Sequence, residues 1–121
     1  MTALRGTRVL VVEDEPLLSM TLQDMLDELE CEVVGTAARL EPALSLASEL
    51  AFDIAVLDIN LGGRRIDPVA EAIAARALPF IFVTGYGQEG VPRHLAVPVV
   101  EKPYETGDLQ RALLRALGTA Q

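Results

Sequence analysis

Glu13, Asp14, Asp58, Thr84 and Lys102 are the residues of this chain whose types and spacing could do chemistry. Glu13-Asp14 follow directly on an apolar run, Val9-Leu10-Val11-Val12, and Asp58 ends a second one, Ile54-Ala55-Val56-Leu57. Runs of this kind are buried central strands of a parallel sheet, and the carboxyl ends of such strands share one edge. Carboxylates from both strands then meet in one small pocket. Like charges at that range repel, so the cluster needs a cation or a proton. Clustered oxygen ligands suit a hard ion, Mg2+ first among them.

Two more residues complete the set. Thr84 ends another apolar run, and Lys102 follows a further one and precedes Pro103. Asp58, at the central position, can act as a carboxylate nucleophile. A divalent ion held by the acids would neutralise the charge of a phosphoryl group. Lys102 and Thr84 would hold its remaining oxygens. Taken singly, Glu13 or Asp14 could merely cap a helix, and Lys102 could be a surface ion-pair partner. The residues by themselves support a metal-binding acidic pocket with an ammonium nearby. Their fixed order on alternating units points to phosphoryl acceptance on aspartate.

The elements that must position them alternate along the chain. Strands are predicted at about Thr7 to Val12, Glu32 to Thr36, Asp53 to Asp58, Phe80 to Thr84 and Val97 to Val100. Between them lie helical faces: Leu18, Leu22, Met25, Leu26, Leu29; then Leu40, Ala43, Leu44, Ala47, Leu50; then Val69, Ala70, Ile73, Ala77. A last helix carries Leu109, Ala112, Leu113, Ala116 and Leu117, with Gly118 able to cap it. Repeated βα units predict an α/β domain, a doubly wound five-stranded parallel sheet. Glu15-Pro16, Glu41-Pro42 and Asp67-Pro68 read as helix starts, with proline at the first helical position and an acid at the positive end of the dipole. Glu15 is accordingly a first-turn charge rather than a pocket member. A loop is predicted around Gly62-Gly63, with Arg64-Arg65 solvated in it. Between Thr84 and Val97, three glycines and a proline predict a short or degenerate fourth helix.

With 121 residues, half of them hydrophobic, the chain is expected to form one domain, 1–121, with a real core. No run is long enough to span a bilayer, and the start lacks the apolar stretch of a signal peptide. Cys31 stands alone and reads as a small buried thiol in a cytoplasmic protein. A net charge of -8 argues against direct nucleic-acid binding, which relies on Lys and Arg. His94, the lone histidine, reads as a surface residue.

At this point the chain resembles the receiver domains of two-component response regulators, over essentially its whole length. The resemblance rests on Glu13-Asp14, Asp58 with the stretch Asp58-Ile59-Asn60-Leu61-Gly62, Thr84 and Lys102-Pro103. It implies a sheet in the order 2-1-3-4-5, an arrangement known from flavodoxin and from a member of this family. It implies transfer of phosphate to Asp58 from the phosphohistidine of a histidine kinase or histidine phosphotransfer protein. It implies Mg2+ held by Asp14, Asp58 and the backbone carbonyl of Asn60, and through water by Glu13. It also implies a cis peptide before Pro103, with Lys102 reaching the phosphoryl group. Such modules are not enzymes; a protein-interaction surface switches for an unknown downstream protein, with no membrane or nucleic acid involved directly.

Phe82-Val83-Thr84-Gly85-Tyr86 further resembles a subgroup, often free-standing, with a Phe-x-Thr-Gly-x-Tyr-like motif; here Tyr86 follows Gly85 directly. Many receivers carry Tyr or Phe three residues before the lysine, where this chain has Val99. Tyr86, or less readily Tyr104, could substitute in a switch. A free-standing regulator, a phosphate sink and a piece of a longer chain all fit the pattern. A Mg2+-dependent phosphohydrolase would need a second acid two residues after the nucleophile, where Asn60 stands. A pseudo-receiver that binds partners without phosphate has no use for the complete acid, threonine and lysine set.

Overall fold

The computed structural model describes residues 4–85 and 97–118, the Asn60 side chain excepted. In chain order the elements are β1 (Arg8–Val12), α1 (Pro16–Glu28), β2 (Glu32–Ala37), α2 (Leu40–Glu49), β3 (Ile54–Asp58), β4 (Asn60–Leu61), β5 (Arg64–Arg65), α3 (Asp67–Ala75), β6 (Phe80–Thr84), β7 (Val99–Glu101) and α4 (Thr106–Ala116). Five strands form one sheet in the order β2-β1-β3-β6-β7, and all its pairings are parallel. Numbered among themselves, these strands run 2-1-3-4-5. The predicted short or degenerate helix before the last strand, with Tyr86 and His94, lies outside the described residues.

Alternation along the central strands feeds two cores. Leu10, Val12, Ala55, Leu57 and Phe82 pack with Ala43 and Ala47 of α2 and with Val69 and Ile73 of α3. Val9, Val11, Ile54, Val56, Ile81 and Val83 pack with Leu22 and Leu26 of α1 and with Leu109 and Leu113 of α4. Burial on both faces is why these strands read as unbroken apolar runs. Each fully buried Leu, Ile or Phe contributes about 1.5–3 kcal/mol of transfer free energy. Parallel register then brings the strand ends into line: Val12 lies beside Leu57, Asp58 beside Val83, and Thr84 beside Glu101, one residue before Lys102.

Several local expectations are corrected. The loop predicted after β3 is a small antiparallel hairpin, β4–β5, in which Asn60 faces Arg65 and Leu61 faces Arg64. Its two connecting residues, Gly62 and Gly63, have φ of +60° and +84°. Positive φ at both is the type I′ turn that matches the twist of a hairpin, and glycine adopts it without strain. Arg64 and Arg65 are thus strand residues, still exposed, and paired with Glu41 and Asp67. Pro16 does occupy the first helical position, but α2 begins at Leu40, so Pro42 is its third residue, and Pro68 is the second of α3. The last sheet strand begins at Val99 rather than Val97.

Two helix ends carried no glycine to announce them. Glu30 and Ala77 sit at φ of +65° and +59°. Cys31 N–H donates to Leu26 O, and Leu78 N–H to Ile73 O. These are Schellman closures of α1 and α3 with a non-glycine residue in the left-handed position. Ala77, expected on the buried face of α3, therefore lies past its end and is exposed. Gly118 closes α4 as expected, at φ +73°. Leu18, placed on the buried face of α1, is 36% exposed, and Leu17 and Met20 are more so. Cys31 is buried, its thiol pushed up to about 11 by that burial. Among the described residues no helix is long and apolar enough to cross a membrane.

Candidate functional site

A cavity of about 270 Å³ opens at the carboxyl edge of the sheet, lined by Asp14, Glu15, Asp58, Ile59, Gly62, Gly63, Thr84, Gly85 and Lys102. Each wall is the end of a different element. Glu13 and Asp14 follow β1, where the Glu13 N–H still donates to Ala37 O of β2 at 3.0 Å. Asp58 is the last residue of β3 and Thr84 the last of β6. Lys102 follows β7, its N–H held by Thr84 O at 2.8 Å. The Lys102–Pro103 peptide is cis.

Glu13, Asp58 and Thr84 are buried, and Asp14 is half-buried. Lys102 Nζ lies 3.3 Å from Glu13 Oε1 and 3.5 Å from Asp58 Oδ2. One ammonium thus bridges two carboxylates. Burial works against the charge on Lys102, but Asp58 and then Glu13 outweigh it, and its pKa is raised. For Glu13 the balance goes the other way. Burial, then a hydrogen bond with Asp58 and the charge of Asp58, lift its pKa from the ordinary 4.5 to about 7, against the pull of Lys102. A buried acid near 7 beside a second carboxylate is the perturbation expected where carboxylates share a site.

The structure brings together Glu13, Asp14, Asp58, Thr84 and Lys102 from their separate strand ends. Glu13, Asp14 and Asp58 each bring one carboxylate oxygen to within 4.8 Å of the others. An all-oxygen donor set at that spacing fits a hard divalent cation that keeps part of its water shell. Val99 is half-buried in β7, so the position that often carries a switching aromatic holds an aliphatic side chain here. Tyr104 is partly buried against the α1 and α4 side of the sheet. Burial, then the charges of Glu13 and Asp58, push its hydroxyl up to about 12.

Three contacts were not visible in the residue pattern. Glu15, expected as a first-turn charge rather than a pocket member, is instead the N-cap of α1 and lines the cavity with its side chain exposed; its N–H donates to Glu13 Oε2 at 3.3 Å. Gly62 N–H, at the hairpin tip, donates to Asp14 Oδ2 at 3.0 Å. Ile59 N–H donates to Val83 O at 3.1 Å, carrying the β3–β6 ladder one residue past Asp58. The Gly62-Gly63 pair, a hairpin-turn signal, was the only sequence cue to the second of these.

A doubly wound sheet with acids, a threonine and a lysine gathered at its carboxyl edge defines a class of signalling module. The chain belongs to the response regulator receiver domain family, whose model matches residues 9–114. Among solved structures it is similar to SdrG from Sphingomonas melonis Fr1, at 42% identity and a TM-score of 0.81, covering 97% of this chain and 98% of that one. It is similar, at 26% identity and a TM-score of 0.80, to the receiver domain of a Pseudomonas aeruginosa sensor histidine kinase, covering 93% of this chain and 98% of that one. That structure has a magnesium ion coordinated in its active-site cleft. The phyllosphere-induced regulator PhyR of Methylorubrum extorquens is 29% identical over 93% of this chain and 44% of its own length. The chain spans about half the length of the curated relatives it matches first.

Proposed function

We propose that this receiver domain takes a phosphoryl group onto Asp58 from the phosphohistidine of a histidine kinase or histidine phosphotransfer protein, with Mg2+ bound, and thereby switches a surface read by a downstream protein. The observation that carries this reading is the Lys102 ammonium placed within 3.5 Å of both Glu13 and Asp58, in a cavity that Asp14 and Thr84 also line. Asp58 supplies the attacking oxygen: an O–P bond forms as the donor's N–P bond breaks, and the electron pair leaves with the imidazole. Lys102 and the Thr84 hydroxyl receive the phosphoryl oxygens, by charge and by hydrogen bond.

Asp14, Asp58 and the Asn60 carbonyl would hold the metal directly, and Glu13 through water. Bound there, Mg2+ supplies positive charge to the phosphoryl oxygens. The hairpin register supports a role for Asn60. Opposed residues in an antiparallel ladder alternate between pairs that exchange hydrogen bonds and pairs that do not. Ile66 N–H donates to Ile59 O, which puts Asn60 and Arg65 in the second class and turns the Asn60 carbonyl away from β5. A protein donor, rather than a small molecule alone, is supported by Leu17, Leu18 and Met20, exposed on the first turns of α1 directly behind Asp14 and Glu15. A cytoplasmic setting follows from a kinase donor. Tyr86 is the residue we assign to the switch, since Val99 offers no ring.

Intact-protein mass spectrometry after treatment with a small-molecule phosphodonor tests the reading. One phosphoryl adduct that needs Mg2+ and disappears in Asp58→Asn is the expected result. A folded, unmodified protein would instead make this a pseudo-receiver.

A further inference from the structure

Among the described residues, the hairpin between β3 and α3 is an element beside the pocket that the strand ends themselves do not require. Its tip is the type I′ pair Gly62-Gly63. In a two-residue hairpin the flanking residues, Leu61 and Arg64, close the ladder on each other. The N–H of the first turn residue is not part of that ladder and points outward. Here it points at Asp14, donating to Oδ2 at 3.0 Å across 48 residues of sequence. Packing does not explain the glycine, because a Cβ at Gly62 would meet nothing within 4 Å. The positive φ is what the position requires, and that φ aims the N–H.

The acceptor is also placed tellingly. Asp14 stands beyond the end of β1, half-buried, at the mouth of the cavity that Gly62 and Gly63 line from the other side. A carboxylate in such a position rotates unless something holds it, and a donor on one oxygen leaves the other directed. The far side of the hairpin is tied down in turn: Arg64 pairs with Glu41 of α2, and Ile66 N–H with Ile59 O.

We infer that the Gly62 N–H is a positioning group for the metal site: it clamps Asp14 Oδ2 so that the remaining oxygen meets a divalent cation without a search over rotamers. The inference rests on the proposed role of Asp14 as a metal ligand. Partners that orient a ligating side chain are worth about tenfold to a hundredfold in metal affinity. The hairpin is then a ligand holder, and its glycine pair is selected by backbone conformation.

The test needs the donor removed while the turn is kept. In the 121-residue chain, Gly62→glycolate replaces the amide N–H by an ester oxygen with no side chain added. Gly62→D-alanine favours the same positive φ and keeps the N–H, so it reports on the turn alone. Mg2+ affinity is measured by titration calorimetry, with far-UV circular dichroism confirming the fold of each variant. The expected result is wild-type affinity for D-alanine and a tenfold or greater loss for glycolate. The Gly62 amide proton resonance of the wild type should also move on Asp14→Asn, as it must if it is bonded to that carboxylate. Equal affinities for the two variants would overturn the clamp while leaving the metal site standing. Absence of Mg2+ binding by the wild type itself would overturn both.

Discussion

Replacing Glu13 by Gln should make the metal-free protein more stable, by an amount that grows with pH. Glu13 is 5% exposed and its pKa is lifted from 4.5 to about 7. A carboxyl whose folded pKa is raised stabilises the fold while it is protonated; the contribution is complete below pH 4.5 and is lost as pH rises through 7. Integrating the difference in bound protons from pH 5 to pH 8 gives a loss of about 2–3 kcal/mol. Gln keeps one amide oxygen, for Lys102 or for the Glu15 N–H but not both, offers its NH2 to Asp58, and has no charge to bury. The difference between the two proteins should therefore be small at pH 5 and larger by that amount at pH 8. Urea unfolding followed at 222 nm in EDTA, at unit steps from pH 5 to 8, measures it. With a slope of about 1–3 kcal/mol per M, the midpoints should separate by a further ~1–3 M across the range. Asp53 and Glu41, whose pKa values are lowered by Arg8 and Arg64, titrate below this window in both proteins and cancel. Midpoint curves that stay parallel from pH 5 to 8 would refute the reasoning, since Glu13 would then ionise as it does in the unfolded chain.

Cation binding should carry the opposite linkage. Mg2+ needs the ionised acids, so about one proton should be released on binding at pH 6 and almost none at pH 8. Calorimetric heats that do not depend on the ionisation enthalpy of the buffer at pH 6 would contradict this. Lys102→Ala leaves Glu13 and Asp58 facing each other without a counter-charge and should cost about 1–3 kcal/mol at pH 8, shrinking at pH 5 as Glu13 takes up a proton; a loss that does not vary with pH would count against the bridge. Ala77→Gly relieves a left-handed alanine at the end of α3 and should add about 1 kcal/mol. Differential scanning calorimetry should then show a Tm about 3–5 °C higher, whereas a lower Tm would mean the helix end is not under strain.

The parts of this fold that could be read from the chain are those where a single physical demand shapes several consecutive residues. Val9 to Val12, Ile54 to Leu57 and Phe80 to Val83 are buried on both faces, so every position had to be apolar. The residue that breaks each run marks the pocket edge. Helix faces were legible from spacing at Leu22 and Leu26, which pack on the sheet, and failed at Leu18, which lies in the first turn of α1 and is exposed. What stayed hidden depended on one residue or on backbone alone. Glu30 and Ala77 close helices in a conformation their side chains disfavour. Glu105 and Asp108 form a capping box without the usual Ser or Thr. The hairpin spans two residues per strand, too few to show alternation, and its contact with Asp14 runs through a main-chain N–H that no side chain announces. That Lys102 serves Glu13 as well as Asp58 follows from their side-chain positions, which spacing along the chain does not give.

Among the described residues the buried polar side chains are Glu13, Asp58 and Thr84, and all three stand at the carboxyl ends of adjacent strands. Over the rest of the sheet polarity and burial agree: the apolar runs are inside, and charges such as Arg8 and Asp53 pair at the surface. At this edge they conflict. Two carboxylates are held in a site that raises the pKa of one of them, and a lysine is drawn in to bridge both. Stability does not call for such a set, since replacing buried ion pairs by well-packed hydrophobic groups is often neutral or stabilising. Several neighbouring positions that break the agreement together, in one pocket, are kept for what the arrangement does. The same conflict is why the site could be seen in the chain before its geometry was known: acids directly after an apolar run are where burial and charge collide.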